Sequence, residues 1–109
     1  MDMTTTRDLD EALRITGGSR ELADELYEQF IDELPAQMAQ IEALCAEGAN
    51  GPLREKLHQV KGGASVCAVK PFIEALDNLH EHVKTRADAD QVRDSLTVLR
   101  RRAGELLAP

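Results

Sequence analysis

Apolar residues recur at intervals of three and four along almost the whole chain, and this periodicity limits its fold more than any other feature. Few turn signals interrupt it: Gly17 with Gly18, the run from Gly48 to Pro52, Pro71, and a polar stretch near Ala87. Aromatic residues make up only 3% of the chain, which disfavours a β-sandwich or barrel. The sequence therefore predicts an all-α protein.

The turn signals divide the pattern into one short helix and four longer ones. We expect these helices at residues 9–16, from Ser19 to the turn at 48–51, from Pro52 to about Val69, from near Pro71, and from about Asp88 to Leu107. The apolar stripe continues in phase across Pro35, which favours one kinked helix over two. Short connections predict an up-and-down antiparallel four-helix bundle, with the short N-terminal helix as a lid. We expect one domain over residues 1–109, in which residues 1–7 form a flexible N-terminal segment.

The charge balance and the cysteines limit the partners and the compartment. With 20 acidic and 13 basic side chains the net charge is −7, so we expect neither nucleic acid nor an anionic membrane as a partner. The first six residues lack the features of a signal peptide. Cys45 and Cys67 form no CxxC motif, and we expect both to be reduced, buried thiols. These features predict a cytoplasmic protein. It is expected to be a monomer, because the bundle can bury its own apolar stripes.

The third predicted helix carries the polar residues with the most distinctive arrangement. Its apolar residues follow at alternating spacings of four and three and form one narrow stripe: Leu53, Leu57, Val60, Ala64 and Cys67. On a helical wheel His58 lies about 140° from the centre of that stripe, on the solvent side. Gly62 and Ser65 also point outward, and Lys61 lies on the flank, one turn from His58.

These residue types suit the transfer of a phosphoryl group. A neutral imidazole is a nucleophile that can carry a phosphoryl group, and an ammonium one turn away can offset its charge. Glycine inside an exposed helix costs about 1 kcal/mol relative to alanine, and at position 62 it would clear space beside His58 for a partner. Gly63 lies toward the bundle, where close packing is a sufficient reason for it. The alternatives are an ordinary surface histidine and a solvated lysine.

The sequence has no glycine-rich nucleotide loop and no carboxylate cluster placed to hold Mg²⁺ beside His58. We therefore expect no ATP-dependent kinase activity and no cofactor bound by this chain, so that a partner must supply the metal and the electrophile. His80 and His82 are two residues apart and do not share a helical face, which favours surface histidines over a metal-binding pair.

The segment from His58 to Ser65, HQVKGGAS, resembles the H-x-x-K-G-[GSA]-[AS] signature of histidine-containing phosphotransfer (Hpt) domains. The first half of the chain is similar to the Hpt modules that end BarA-type hybrid sensor kinases, at the segment DEALR of residues 10–14, at Leu22-Ala23, at Phe30 and at Leu34-Pro35. The resemblance implies a four-helix bundle that relays phosphoryl groups between the aspartates of response-regulator receiver domains. It implies Mg²⁺ in the receiver and a hybrid sensor kinase as a further partner.

The same resemblance assigns roles to residues of the third helix. It makes His58 the phosphoacceptor, through Nε2, with Lys61 as its charge partner and Gly62 as the clearance residue. Four neighbours are expected at the rim where a receiver docks: Arg54, Glu55, Gln59 and Ser65. Two other interpretations stay open: a module that binds receivers without carrying phosphate, and a helical adaptor whose motif is accidental.

Two positions depart from the family pattern. Ala68 stands where the family usually has glycine, and we expect its extra methyl to alter the packing of the turn between the third and fourth helices. His80 stands where a glutamate is frequent, and we expect this change to bear on the choice of partner.

Overall fold

The computed structural model describes residues 7–108, which form five helices and no strand. The helices are α1 (Leu9–Ile15), α2 (Arg20–Glu47), α3 (Asn50–Cys67), α4 (Lys70–Lys84) and α5 (Ala89–Leu107). The prediction of one short helix followed by four long ones is confirmed. Among the described residues, no helix is both long and apolar enough to cross a membrane.

The first two helices begin where the sequence predicts. α1 ends at Ile15, one residue before the predicted end, and α2 ends at Glu47, directly before the predicted turn. Asp8 and Ser19 are their N-caps, and each side chain accepts a hydrogen bond from the backbone amide three residues later. Gly17 and Gly18 separate the helices with φ angles of +70° and +89°, a region that glycine enters without strain. α2 then runs unbroken through Pro35, which is exposed, while Leu34 beside it is buried. One helix rather than two is therefore confirmed at this proline.

The boundaries of α3 and α4 differ from the predicted ones. α3 begins at Asn50, so Pro52 is its third residue rather than its first. A proline fits there because the first-turn amides of a helix have no partner within the helix. α3 ends at Cys67, before the predicted Val69, because Ala68 turns the chain with a φ of +57°. Val69 is then the N-cap of α4, and Pro71 lies in its first turn.

The four long helices form an antiparallel bundle in which α2 packs on α3, α3 on α4, α4 on α5, and α5 closes back onto α2. Leucines from all four helices line the core, and Phe72 is its largest fully buried side chain. Phe30 meets Phe72 edge to face, with ring centroids 5.8 Å apart. Every member of the predicted α3 stripe is buried.

α1 covers the end of the bundle at which α2 begins and α3 meets α4. Ala12, Ala23 and Ala68 form a small apolar cluster there, and the Asp8 amide donates to the Ala68 carbonyl at 2.9 Å. Of the N-terminal segment predicted to be flexible, residues 1–6 lie outside the described residues. Arg7 is described: it pairs with Asp24 at 3.0 Å and lies 4.4 Å from the Tyr27 ring centroid.

The two cysteines are free thiols in different surroundings. Cys67 is buried, as expected, whereas Cys45 is only half-buried. Burial raises the pKa of both thiols above the ordinary value. The prediction of two buried thiols is therefore wrong for Cys45, which lies on the flank of the α2 stripe.

Candidate functional site

The buried stripe of α3 fixes which residues of this helix reach solvent. Because Leu57 and Val60 point into the core, His58 between them is exposed. Arg54, His58, Lys61 and Ser65 follow one another at spacings of four, three and four, and form one row along α3, here called the histidine row. Arg54 and Ser65 are exposed, and Lys61 is partly exposed.

The two glycines of α3 have different surroundings. A Cβ atom added to Gly62 would meet no atom within 4 Å, so the surface beside His58 is open. A Cβ atom on Gly63 would lie 3.7 Å from Cδ1 of Phe30, an ordinary van der Waals distance. Gly63 is also exposed. Close packing therefore does not require glycine at position 63, and the predicted reason for this residue is wrong.

Lys61 does not extend freely into solvent. Its Nζ lies 2.8 Å from Oδ1 of Asp77 on α4, and the two side chains are 42% and 50% exposed. Asp77 therefore holds the ammonium on the α4 side of the histidine row. The sequence does not reveal this ion pair, because it depends on the register between two antiparallel helices.

His80 on α4 is half-buried beside the histidine row rather than fully on the surface. Its pKa is below the ordinary value of 6.5, first because of burial and then because of the positive charges of Arg54 and Lys84. His58 contributes in the same direction, and Asp77 opposes it. Cations of α3 and α4 thus gather on this side of His58, in a chain whose net charge is −7.

α2 borders the other side of the site. Gln59 and Gly63 of α3 line a cavity of about 150 Å³ together with Phe30, Glu33 and Gln37 of α2. Lys56 spans the same groove, since its Nζ donates to Gln37 Oε1 at 3.3 Å and to Gln59 Oε1 at 3.1 Å. The α2 residues were not predicted from the sequence, because nothing in their spacing distinguishes them from other residues at the edge of the stripe.

The four predicted rim residues are all exposed on α3, but they lie on different sides of His58. Arg54 is close enough to α4 to act on His80, and Gln59 faces α2. Glu55 follows Arg54 on the outward face, and Ser65 ends the histidine row. The helix thus presents a polar surface about three turns long, flanked by α2 and α4.

His82 differs from the predicted surface histidine. It is half-buried, and its Nδ1 is hydrogen-bonded to Oγ of the buried Ser95 on α5, so it joins two helices. Within residues 7–108, no group of three His, Cys, Asp or Glu side chains is arranged to hold a metal ion.

In the comparison with protein-family models, the model described as the Hpt domain matches residues 25–108. The matched region contains most of α2 and all of α3, α4 and α5, and therefore the whole histidine row. Comparison with curated proteins and with solved structures gives no significant match.

Proposed function

The chain belongs to the Hpt domain family, and from that premise we propose that His58 accepts a phosphoryl group from an aspartate of one receiver domain and passes it to an aspartate of another. Hpt domains act in histidine phosphotransfer within phosphorelays and interact with response-regulator receiver domains. The observation that carries the proposal is the exposure of His58 in the middle of α3, beside the open surface at Gly62.

The proposed reaction needs only a nucleophile from this chain. An imidazole nitrogen of His58, Nε2 by family resemblance, attacks the phosphorus of the aspartyl phosphate. The N–P bond forms as the P–O bond to the carboxyl group breaks, and the aspartate leaves as a carboxylate. In the second half of the cycle, a carboxylate of another receiver attacks the phosphohistidine, and the imidazole leaves.

Lys61 is proposed as the charge partner of the phosphoryl group. It lies one helical turn from His58 on the same row, and a lysine has a mobile ammonium that can follow an anion. The cations Arg54 and Lys84 on the α4 side add to a local environment that favours negative charge.

Receiver docking is proposed on α3 together with the neighbouring edge of α2. The rim residues would be Arg54, Glu55, Gln59 and Ser65 of α3. Phe30 would add an apolar contact from the groove between α2 and α3. Gly62 is proposed to provide clearance, because a side chain there would project directly between His58 and the partner.

The chain is proposed to bind no cofactor and to have no ATP-dependent kinase activity. Of the groups that act on His80 beside the acceptor, Arg54 and Lys84 are cations, and Asp77 is already paired with Lys61. This set suits an anion better than Mg²⁺, which prefers oxygen ligands. The Mg²⁺ that assists the transfer would therefore be held by the receiver.

A hybrid sensor kinase is proposed as an upstream partner, and the protein is proposed to act as a monomer. A cytoplasmic location suits the free thiols of Cys45 and Cys67, because disulfides are rare in that reducing compartment.

The decisive experiment is phosphotransfer from a panel of Mg²⁺-loaded, radiolabelled receiver domains to the wild-type chain and to His58→Gln. We expect an acid-labile, base-stable label on the wild type, and a loss of at least a hundredfold in the variant. His58→Gln should retain the circular dichroism spectrum of the wild type, because the replaced side chain is exposed.

His82→Gln is the matched control, because it makes the same chemical change at a histidine outside the histidine row. It should still accept the label. A folded wild type that binds receivers without acquiring label would contradict the proposal and favour the receiver-binding adaptor. Label on His58→Gln would assign the acceptor to another residue.

A further inference from the structure

The ion pair between Lys61 and Asp77 has a consequence for the phosphorylated state of His58, and the inference drawn from it rests on the proposed function. Lys61 has a single ammonium group, so a close ion pair with one anion weakens its pairing with a second anion. In the unmodified chain that anion is Asp77, at 2.8 Å on the neighbouring helix. A phosphoryl group on His58 would introduce a second anion one helical turn away.

The exposure, charge and acceptor oxygens of the two anions decide which of them the Lys61 ammonium pairs with. The pair with Asp77 is about half exposed on both sides, and exposed ion pairs contribute little to stability. A phosphoryl group carries more negative charge than a carboxylate and has three strong acceptor oxygens. The four-carbon stem of lysine allows its ammonium to move between nearby positions without a change in the helix.

We infer that Asp77 is a positioning residue that holds Lys61 on the α4 side while His58 is unmodified and releases it to the phosphoryl group when His58 is phosphorylated. Asp77 thereby limits the stability of the phosphohistidine. It does so by competing for the Lys61 ammonium, because the pair with Asp77 must break before the ammonium can offset the charge of the phosphoryl group. The balance keeps the phosphoryl group available for transfer onward.

The location of Asp77 on α4 separates this role from docking. α4 borders the histidine row on the side opposite the groove with α2. Of the charged groups that act on His80, Asp77 is the anion, and Arg54 and Lys84 are cations. Removing the carboxylate therefore frees the Lys61 ammonium beside His58 and leaves the groove between α2 and α3 unchanged.

The test uses the half-life of the phosphohistidine, which requires no receiver. The full chain is phosphorylated with phosphoramidate, the donor is removed, and loss of phosphohistidine is followed by ³¹P NMR at constant pH and ionic strength. We expect Asp77→Asn to lengthen the half-life about fivefold, which corresponds to about 1 kcal/mol at 1.4 kcal/mol per tenfold change. Asp77→Glu, which keeps the carboxylate, should return the half-life to within twofold of the wild type.

Glu42→Gln is the matched control, because it removes the carboxylate of another interhelical ion pair, to Arg100 at 3.1 Å. It should leave the half-life unchanged. In a Lys61→Gln background, Asp77→Asn should change the half-life by less than twofold, because no ammonium remains to be released. Circular dichroism of each variant checks that the helices persist.

The outcomes distinguish this inference from the proposed function. A half-life in Asp77→Asn equal to or shorter than that of the wild type would overturn the inference, and so would an equal lengthening in the Lys61→Gln background. If phosphoramidate loads His58 but no receiver exchanges phosphate with it, the receiver-to-receiver function fails while the half-lives still decide the role of Asp77. If neither phosphoramidate nor any receiver loads His58, both are overturned.

Discussion

At the scale of single residues, His80 is the group whose ionisation is most affected by its surroundings at the site. Burial of its imidazole disfavours the charged form, and the positive charges of Arg54 and Lys84 disfavour that form further. The lowered pKa means that His80 is a neutral hydrogen-bonding group, not an additional cation, at neutral pH. A glutamate, frequent at this position in the family, would instead bring a negative charge beside His58.

We predict that Arg54→Gln raises the pKa of His80 toward 6.5, and that His58→Gln raises it by a smaller amount. The order follows from the greater effect of the Arg54 guanidinium. NMR titration of the imidazole resonances measures both shifts. Arg20→Gln, at the start of α2, is the control and should leave the titration unchanged.

The same shift gives His80 a defined contribution to the pH dependence of stability. Because the folded pKa is lower than the unfolded one, the unfolded chain binds more protons between the two values. His80 therefore makes its full contribution to the free energy of unfolding above pH 6.5. This contribution is lost as the pH falls through the folded pKa. A His80 pKa above 6.5 in the wild type would contradict this account.

Single residues also show where sequence reasoning succeeds. The exposure of His58 and Gly62 could be predicted because the orientation of a residue on a helix follows from the buried stripe of that same helix. The partner of Lys61 and the approach of Phe30 to Gly63 could not, because both depend on how neighbouring helices are aligned along their axes. Local spacing contains no information about that alignment.

At the scale of elements, α3 is unusual in having two adjacent glycines in its exposed middle. Packing does not require glycine at either position. A Cβ atom added at position 62 would meet no atom within 4 Å, and one added at position 63 would make only an ordinary contact. The helix is therefore less stable than it could be at these positions, and the cost is about 1 kcal/mol for each glycine relative to alanine. The explanation that we propose for Gly62 is a surface left free for a partner.

We predict that Gly62→Leu lowers the rate of phosphotransfer from a receiver at least tenfold, while the helix becomes as stable or more stable. The leucine side chain would project into the space that the partner needs, and its helix propensity exceeds that of glycine by roughly 0.5–1 kcal/mol. Radiolabel transfer measures the rate, and thermal unfolding measures the stability.

Gly104→Leu in α5 is the matched control, because Gly104 is also exposed and an added Cβ atom there meets nothing within 4 Å. It should keep the wild-type transfer rate. Unchanged transfer in Gly62→Leu would show that the clearance at this position is not needed.

At the scale of the whole molecule, Ala68 lies where α1, α3 and α4 come together. Its carbonyl accepts the Asp8 amide, its methyl packs with Ala12 and Ala23, and its φ of +57° lies in the left-handed region. The resemblance to the family predicts that the extra methyl alters the packing of the turn between the third and fourth helices. The structure adds that alanine is strained here in its backbone as well, where glycine would not be.

We predict that Arg86→Gly raises the free energy of unfolding by about 0.5–1 kcal/mol, whereas Ala68→Gly changes it by less than about 0.5 kcal/mol. Both residues have a positive φ, so both substitutions relieve backbone strain. Arg86 is exposed, but Ala68 would lose a buried methyl, worth about 0.8 kcal/mol, which offsets the relief. Urea denaturation measures both. A larger gain for Ala68→Gly than for Arg86→Gly would show that the methyl contributes nothing at this junction.

The contact between Arg7 and the Tyr27 ring also determines how the molecule can be observed. The chain contains one tyrosine and no tryptophan, so its intrinsic fluorescence comes from Tyr27 alone. That ring lies 4.4 Å from the Arg7 guanidinium, next to the end of the bundle that α1 covers. Tyrosine emission therefore reports on the attachment of the N-terminal helix, whereas circular dichroism reports mainly on the four long helices. Comparing the two signals during thermal unfolding separates detachment of that helix from unfolding of the bundle.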